Sequence, residues 1–117
     1  MDNEITINGI VYVPKSTKVL DEKGLEYVIV RTYSAGVFAG YLESKEEKEV
    51  VLKQARRLWY WDGAASLSQL AQSGTTKPEK CKFPEEMSQV TLTEAIEIIS
   101  VSLTAKESIS KVAIWRL

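Results

Sequence analysis

At 117 residues the chain has room for one domain with a modest core and not for two. Lysine and arginine number 15 against 16 acids, a net charge of -1 with none of the overall basic excess that drives binding to duplex DNA. Histidine is absent and cysteine occurs once, at Cys81, which argues together against zinc and iron-sulfur centres, an internal disulfide and the commonest general base.

The first predicted element is a hairpin. "ITINGIVYV" holds two alternating runs joined by Asn8-Gly9, a pair that readily adopts the positive φ values of a type I′ turn. The polar "PKSTKVLDEKGLE" ends in a turn at Gly24 and reads as a connector, so residues 1–25 are expected to form an N-terminal arm and residues 26–117 the core domain. The opening "MDNEITING" lacks the basic start and apolar run of a signal peptide, and no apolar stretch nears the roughly 20 residues of a bilayer span. A cytoplasmic protein with no membrane partner is the expectation.

The core opens with "EYVIVRTY", in which Tyr27, Ile29, Arg31 and Tyr33 share one face and Val28, Val30 and Thr32 the other. Apolar residues on both faces predict a central strand. "SAG" turns the chain into "VFAGYLES", where Gly36 predicts the turn and Gly40 a close approach by another backbone or a ligand. "KEEKE" reads as a solvated hairpin loop. "VVLKQARRLWYW" is predicted as one long or broken strand, although "KQARRL" also suits a helix. Regular alternation along it would point Arg57, Trp59 and Trp61 one way and Arg56, Leu58 and Tyr60 the other.

After Asp62-Gly63, Ser66 and Gln69 have the spacing of a capping box, which predicts a helix over about residues 67–72 with Leu67, Leu70 and Ala71 inward. "GTTKPEKCKFPEEM" is a predicted loop and "QVTLTEAIEIIS" a single strand. Thr104 with Glu107 predicts a second capping box that opens a helix to Lys111, and "VAIWRL" a closing strand. Strands in sequence with two short helices and an N-terminal hairpin predict an α+β domain built mainly on antiparallel sheet.

The candidate site lies where the strand bearing Arg57, Trp59 and Trp61 delivers the chain to a helix start at Ser66. Arginine pairs with phosphate, tryptophan stacks on a base, and free N–H groups at a helix start receive an anion, so the combination suits a nucleotide. The other reading makes the tryptophans core or subunit-interface residues and Ser66 merely a cap, since aromatic residues in a domain this small are usually structural. Arg31, mid-strand beside tyrosine and isoleucine, needs a counter-charge, either a ligand phosphate or one of the 16 acids, and Tyr33 would line the same pocket. Cys81 sits between Lys80 and Lys82, which favours its thiolate, but no histidine exists to act with it. No catalytic residue, metal or cofactor is expected, and the glycines of "SAGVFAG" do not form a P-loop.

The runs "YVIVRTYSAGVFAG", "KEVVLKQARRLWYWDGAASLSQLA" and "LTEAIEII" resemble a family of small phage and prophage proteins catalogued as a domain of unknown function, over about residues 26–102. The most specific parts are "RTYSAG" and "WYWDGAASLSQLA", and the arm before Glu26 falls outside the likeness. The resemblance implies a viral accessory protein working in a bacterial cytoplasm. By analogy with phage sponges, which sequester the cyclic nucleotide signals of host immune systems such as CBASS and Thoeris, the expected function is non-enzymatic sequestration of a cyclic nucleotide by a homo-oligomer. The alternative is a protein-interaction module that docks on and inhibits a host factor.

Overall fold

The computed structural model describes residues 5–7, 10–12 and 18–117. The predicted hairpin is present as β1 (Ile5–Ile7) and β2 (Ile10–Tyr12), antiparallel with Ile5 opposite Tyr12 and Ile7 opposite Ile10, in a two-stranded sheet of its own. Asn8 and Gly9, on which the turn expectation rests, lie outside the described residues.

The main sheet is antiparallel and contains β3 (Glu26–Thr32), β4 (Val37–Glu46), β5 (Glu49–Arg57), β6 (Met87–Leu92) and β7 (Ala95–Ser100), in the order β6-β5-β4-β3-β7. With α1 (Leu67–Ser73) and α2 (Leu103–Lys111) the fold is α+β, as its pattern of strands and helices predicts. No helix among the described residues is long and apolar enough to cross a membrane, which says nothing of a membrane β-barrel.

The connection between the two edge strands dictates the sheet's shape. In a flat sheet β6 and β7 would lie about 19 Å apart, four spacings of about 4.8 Å. Only Thr93 and Glu94 join them, and three residue steps from Leu92 to Ala95 reach at most about 11 Å. The sheet therefore curls into a partly open barrel, and the link is held by distant partners: Tyr33 N–H donates to the Glu94 carbonyl at 2.9 Å and Ala95 N–H to that of Lys48 at 3.0 Å. Here the single strand expected over "QVTLTEAIEIIS" becomes two. No glycine or proline marks the break, because tertiary hydrogen bonds rather than local turn chemistry make it.

Curling explains why β3 is apolar on both faces. Val28, Val30, Phe38, Val50, Leu52, Ala55 and Leu92 fill the concave side, while Tyr27, Ile29 and Ala39 meet Leu70, Ala71, Ala105 and Ile109 of the helices on the other. Each large side chain so buried contributes roughly 1.5–3 kcal/mol.

The expected break in the long strand is a β-bulge. Pairing of β4 with β5 passes from Tyr41 opposite Lys53 to Ala39 opposite Arg56, so β5 carries one extra residue, and Gln54 takes a left-handed φ of 49°. Past the bulge Ala55 faces the concave core and Arg56 the helices. Gly40 is the counterpart of this irregularity, since a Cβ on it would meet Ala55 Cα and the Lys53 carbonyl oxygen at 3.0 Å each. Gly40→Ala is expected to lose about 1–3 kcal/mol in urea denaturation. An unchanged midpoint would show that β5 can move away.

Three further expectations are corrected. Most of "KEEKE" is not loop, because β4 runs on to Glu46 and the reversal takes only Glu47 and Lys48, with Glu47 at φ 54°. The cap of α2 is Ser102 rather than Thr104: its hydroxyl accepts from Ala105 N–H at 3.0 Å and donates to the Gln72 carbonyl at 2.6 Å, tying the end of α1 to the start of α2. "VAIWRL" is not a strand but makes one parallel bridge, Phe83 with Ile114. A side chain, Arg56, takes the carbonyls of Val112 and Ala113 and shares that of Phe83 with Trp115 N–H.

Candidate functional site

β3 and β5 end, and β4 begins, at the same end of the sheet. Between β3 and β4 the chain reverses through residues 33–36. Thr32 Oγ1 there donates to the Gly36 carbonyl at 2.8 Å and accepts from Ala35 N–H at 2.9 Å, and Gly36 holds a φ of 103°. Arg31 stands opposite Val37 on β4 and Glu97 on β7, while Arg57 stands opposite Phe38. Leu58 N–H donates to the Val37 carbonyl at 2.8 Å, which brings Trp59 to the same end.

Of the sequence-derived candidates, the structure thus gathers Arg31, Tyr33, Arg57 and Trp59. Tyr33 is 76% exposed and Trp59 64%, so neither ring is committed to the core. Arg31 Nε donates to Glu97 Oε1 at 2.9 Å with both side chains about half exposed, an ion pair worth roughly 0–1 kcal/mol. Its counter-charge is therefore one of the protein's own acids, weakly held. Arg57 has no ion pair among the described residues, and its guanidinium carbon lies 4.6 Å from the centre of the Phe38 ring.

Val37 packs on the helix side and Phe38 on the concave side, so Arg31 and Arg57 leave opposite faces of the sheet. One ligand could use both only around the sheet's rim or by taking one from each of two copies.

Trp61 and Ser66 are engaged elsewhere. The strand stops at Arg57, and Trp61 packs against the helix-side cluster that holds Leu58 rather than continuing the alternation of Arg57 and Trp59. Ser66 Oγ accepts from Gln69 N–H at 3.1 Å, and Gln69 Oε1 from Ala65 N–H at 2.9 Å, so the seven-residue α1 is capped by its own side chains. Cys81 is buried, its sulfur 3.6 Å from the Asp62 carbonyl oxygen, away from solvent chemistry. Grooves of about 890, 640, 420 and 220 Å³ open on the described surface, and none is lined by the six candidates.

Arg56 is a residue that sequence reasoning passed over. Its buried guanidinium carries no counter-ion among the described residues and instead donates to five backbone carbonyls: Pro84, Ile109, Phe83, Val112 and Ala113, at 2.8–3.1 Å. Two of these, Ile109 and Val112, close α2, where the helix dipole favours a cation. The ring of Phe83 lies 5.5 Å beneath. Burial pushes this guanidinium below its ordinary pKa, while Tyr27 and Glu86 pull it back up.

Tyr27 lies under the helices, edge-on to Tyr41 at 5.1 Å, with Lys106 Nζ 5.7 and 5.9 Å from the two ring centres. Burial first, then Tyr41 and Glu86, pushes its hydroxyl well above the ordinary 10.0, against the pull of Arg56. Above about pH 10 the unfolded tyrosine releases a proton that the folded one keeps, so stability, intact below that value, falls as pH rises further. Tyr27→Phe should flatten that alkaline fall in denaturation midpoints. A fall as steep as wild type would place its cause in another group.

No curated protein and no solved structure matches the chain. Residues 25–109 match DUF6948, described as a domain of unknown function. The match takes in the whole of the curled sheet and nearly all of α2, and on that span the chain belongs to the DUF6948 family.

Proposed function

We propose that this protein is a non-enzymatic binding protein that holds a cyclic or related small nucleotide between copies of the chain, at the sheet end bearing Arg31, Tyr33, Arg57 and Trp59. The observation that carries the reading is the pairing of two exposed rings with an arginine that has no ion pair among the described residues. Exposed aromatic faces stack on bases, and an uncommitted guanidinium recognises phosphate. Arginines on opposite faces of the sheet are what a site walled by a second copy would use. In the sponge analogy the nucleotide is an immune signal of a bacterial host, and the protein is a phage product acting in that host's cytoplasm.

Docking on a host protein is the second reading, favoured by the exposure of the same two rings: aromatic surface open to solvent suits a protein partner.

A thermal-shift panel of cyclic di- and trinucleotides and cyclic ADP-ribose isomers separates the two. A nucleotide at about 100 times its dissociation constant should stabilise the fold by roughly 2.7 kcal/mol. Arg57→Ala should melt within about 1 kcal/mol of wild type, since the half-buried guanidinium gives up only its contact over the Phe38 ring, and should lose the nucleotide response. If no nucleotide shifts the wild type, sequestration falls and docking remains.

A further inference from the structure

We infer that Tyr60, Lys82 and Trp115 form a second binding face, one that stacks a nucleotide's base on its two rings and takes the phosphate on lysine. The inference rests on the reading of the protein as a nucleotide binder, but it concerns a surface other than the sheet end.

Backbone pairing builds the face. Tyr60 and Lys82 form an antiparallel bridge, with Tyr60 N–H donating to the Lys82 carbonyl at 3.2 Å and Lys82 N–H to that of Tyr60 at 2.8 Å. Next to them Phe83 bridges Ile114 in parallel, and Trp115 N–H donates to the Phe83 carbonyl at 3.0 Å. Three segments distant in sequence so lie side by side, and their carbonyls are fixed further by Arg56 at Phe83, Val112 and Ala113. The backbone that carries the two rings is therefore tied together before any ligand arrives.

Neither ring belongs to the buried clusters: Tyr60 is 49% exposed and Trp115 42%. Lys82 Nζ lies over both, 5.8 Å from the Tyr60 ring centre and 5.7 Å from that of Trp115. Both rings therefore present π surface to one point, which the protein's own cation occupies. A base stacks on the same surfaces, and the flexible lysine stem lets the ammonium swing out to a phosphate instead. Trp115 also walls a groove of about 420 Å³ with Ile114, Lys111 and Glu79, large enough for a sugar. Among the described residues neither Lys82 nor Lys111 is in an ion pair, so neither ammonium is already neutralised by a carboxylate. Glu79 opposes an anion there and would direct the phosphate toward Lys82.

The chemistry, a base joined to a phosphate, is shared by free nucleotides and single-stranded nucleic acid. Titrations with adenosine monophosphate, a cyclic dinucleotide and a short oligodeoxythymidylate test it on wild type, Tyr60→Ala, Trp115→Ala, Tyr60→Phe, Lys82→Ala and Trp59→Ala. Tyr60→Ala and Trp115→Ala should each weaken binding about ten-fold, while Tyr60→Phe, which keeps a ring, binds as wild type. Lys82→Ala should reduce the dependence of binding on salt. Preference for the oligomer would identify single strands as the source, and preference for the small probes a free nucleotide. If the two ring deletions bind as wild type while Trp59→Ala does not, this face is wrong and the sheet-end reading stands. If wild type binds none of the probes, both fall. Should Trp115→Ala split an oligomer without changing uptake, the face is a subunit contact and the inference is overturned.

Discussion

Arg56→Ala is expected to destabilise the fold by about 3–5 kcal/mol, a large share of the roughly 5–15 kcal/mol that holds a domain together. The loss has two parts. Charge-assisted hydrogen bonds to five carbonyls disappear, three of those carbonyls sharing the two Nη2 protons, and carbonyls that close α2 and align the Phe83 and Ala113 segments are left facing a cavity. The bonds are not additive, because freed carbonyls at the edge of the site regain water. Arg56→Lys keeps the charge but loses the planar fork, and one ammonium with three protons cannot serve five acceptors, so about 2 kcal/mol should still be lost. Urea denaturation of both variants measures this. A loss under about 1 kcal/mol for the alanine variant would mean that the carbonyls are satisfied without the arginine.

Phe38→Ala should cost a similar amount, about 3–5 kcal/mol, through a cavity in the concave core. Phe38 has no exposed surface and packs among Val30, Val50, Leu52 and Leu92, residues that come together only because the sheet curls. The same substitution removes the ring under Arg57, a contact worth roughly 0.5–1 kcal/mol. In the double variant with Arg57→Ala the two losses should therefore sum to less than their parts, and the shortfall measures the contact. If Phe38→Ala melted like a surface change, the concave side would not be a closed core.

Much of this architecture is legible where local rules and tertiary packing agree. Apolar residues on both faces of "EYVIVRTY" reveal a central strand, Gly36 a turn and Gly40 a close backbone approach, because each depends on alternation or on a missing Cβ. The rest is set by partners far away in sequence. Thr93-Glu94 breaks a strand without a turn residue, since Tyr33 and Lys48 supply the hydrogen bonds. Ser102 wins the cap of α2 over Thr104 because Gln72 awaits its hydroxyl. Both candidates are good capping residues, so composition could not choose between them. Gln54 adds one residue to β5, and that single insertion decides that Arg56 faces the helices and Arg57 the concave side.

The candidate site divides in the same way. That Arg31, Tyr33, Arg57 and Trp59 come to one end of the sheet follows from the hairpin order of the strands, whereas the faces they occupy depend on the extra residue at Gln54 and on where β3 and β5 stop. Trp61 turns to the core because the strand stops early, and Ser66 has its hydroxyl committed to its own helix. Tyr60, Lys82 and Trp115 come from three segments and are joined only by isolated bridges, a kind of contact for which a linear pattern carries no signal.

Native mass spectrometry of the protein with a cyclic dinucleotide tests most directly the claim that copies of the chain hold a nucleotide between them. It reads subunit number and bound ligand in one spectrum. The account predicts an oligomer that retains nucleotide, and loss of that retention in Arg57→Ala. A bare monomer across the nucleotide series, with nothing bound to it, would contradict it.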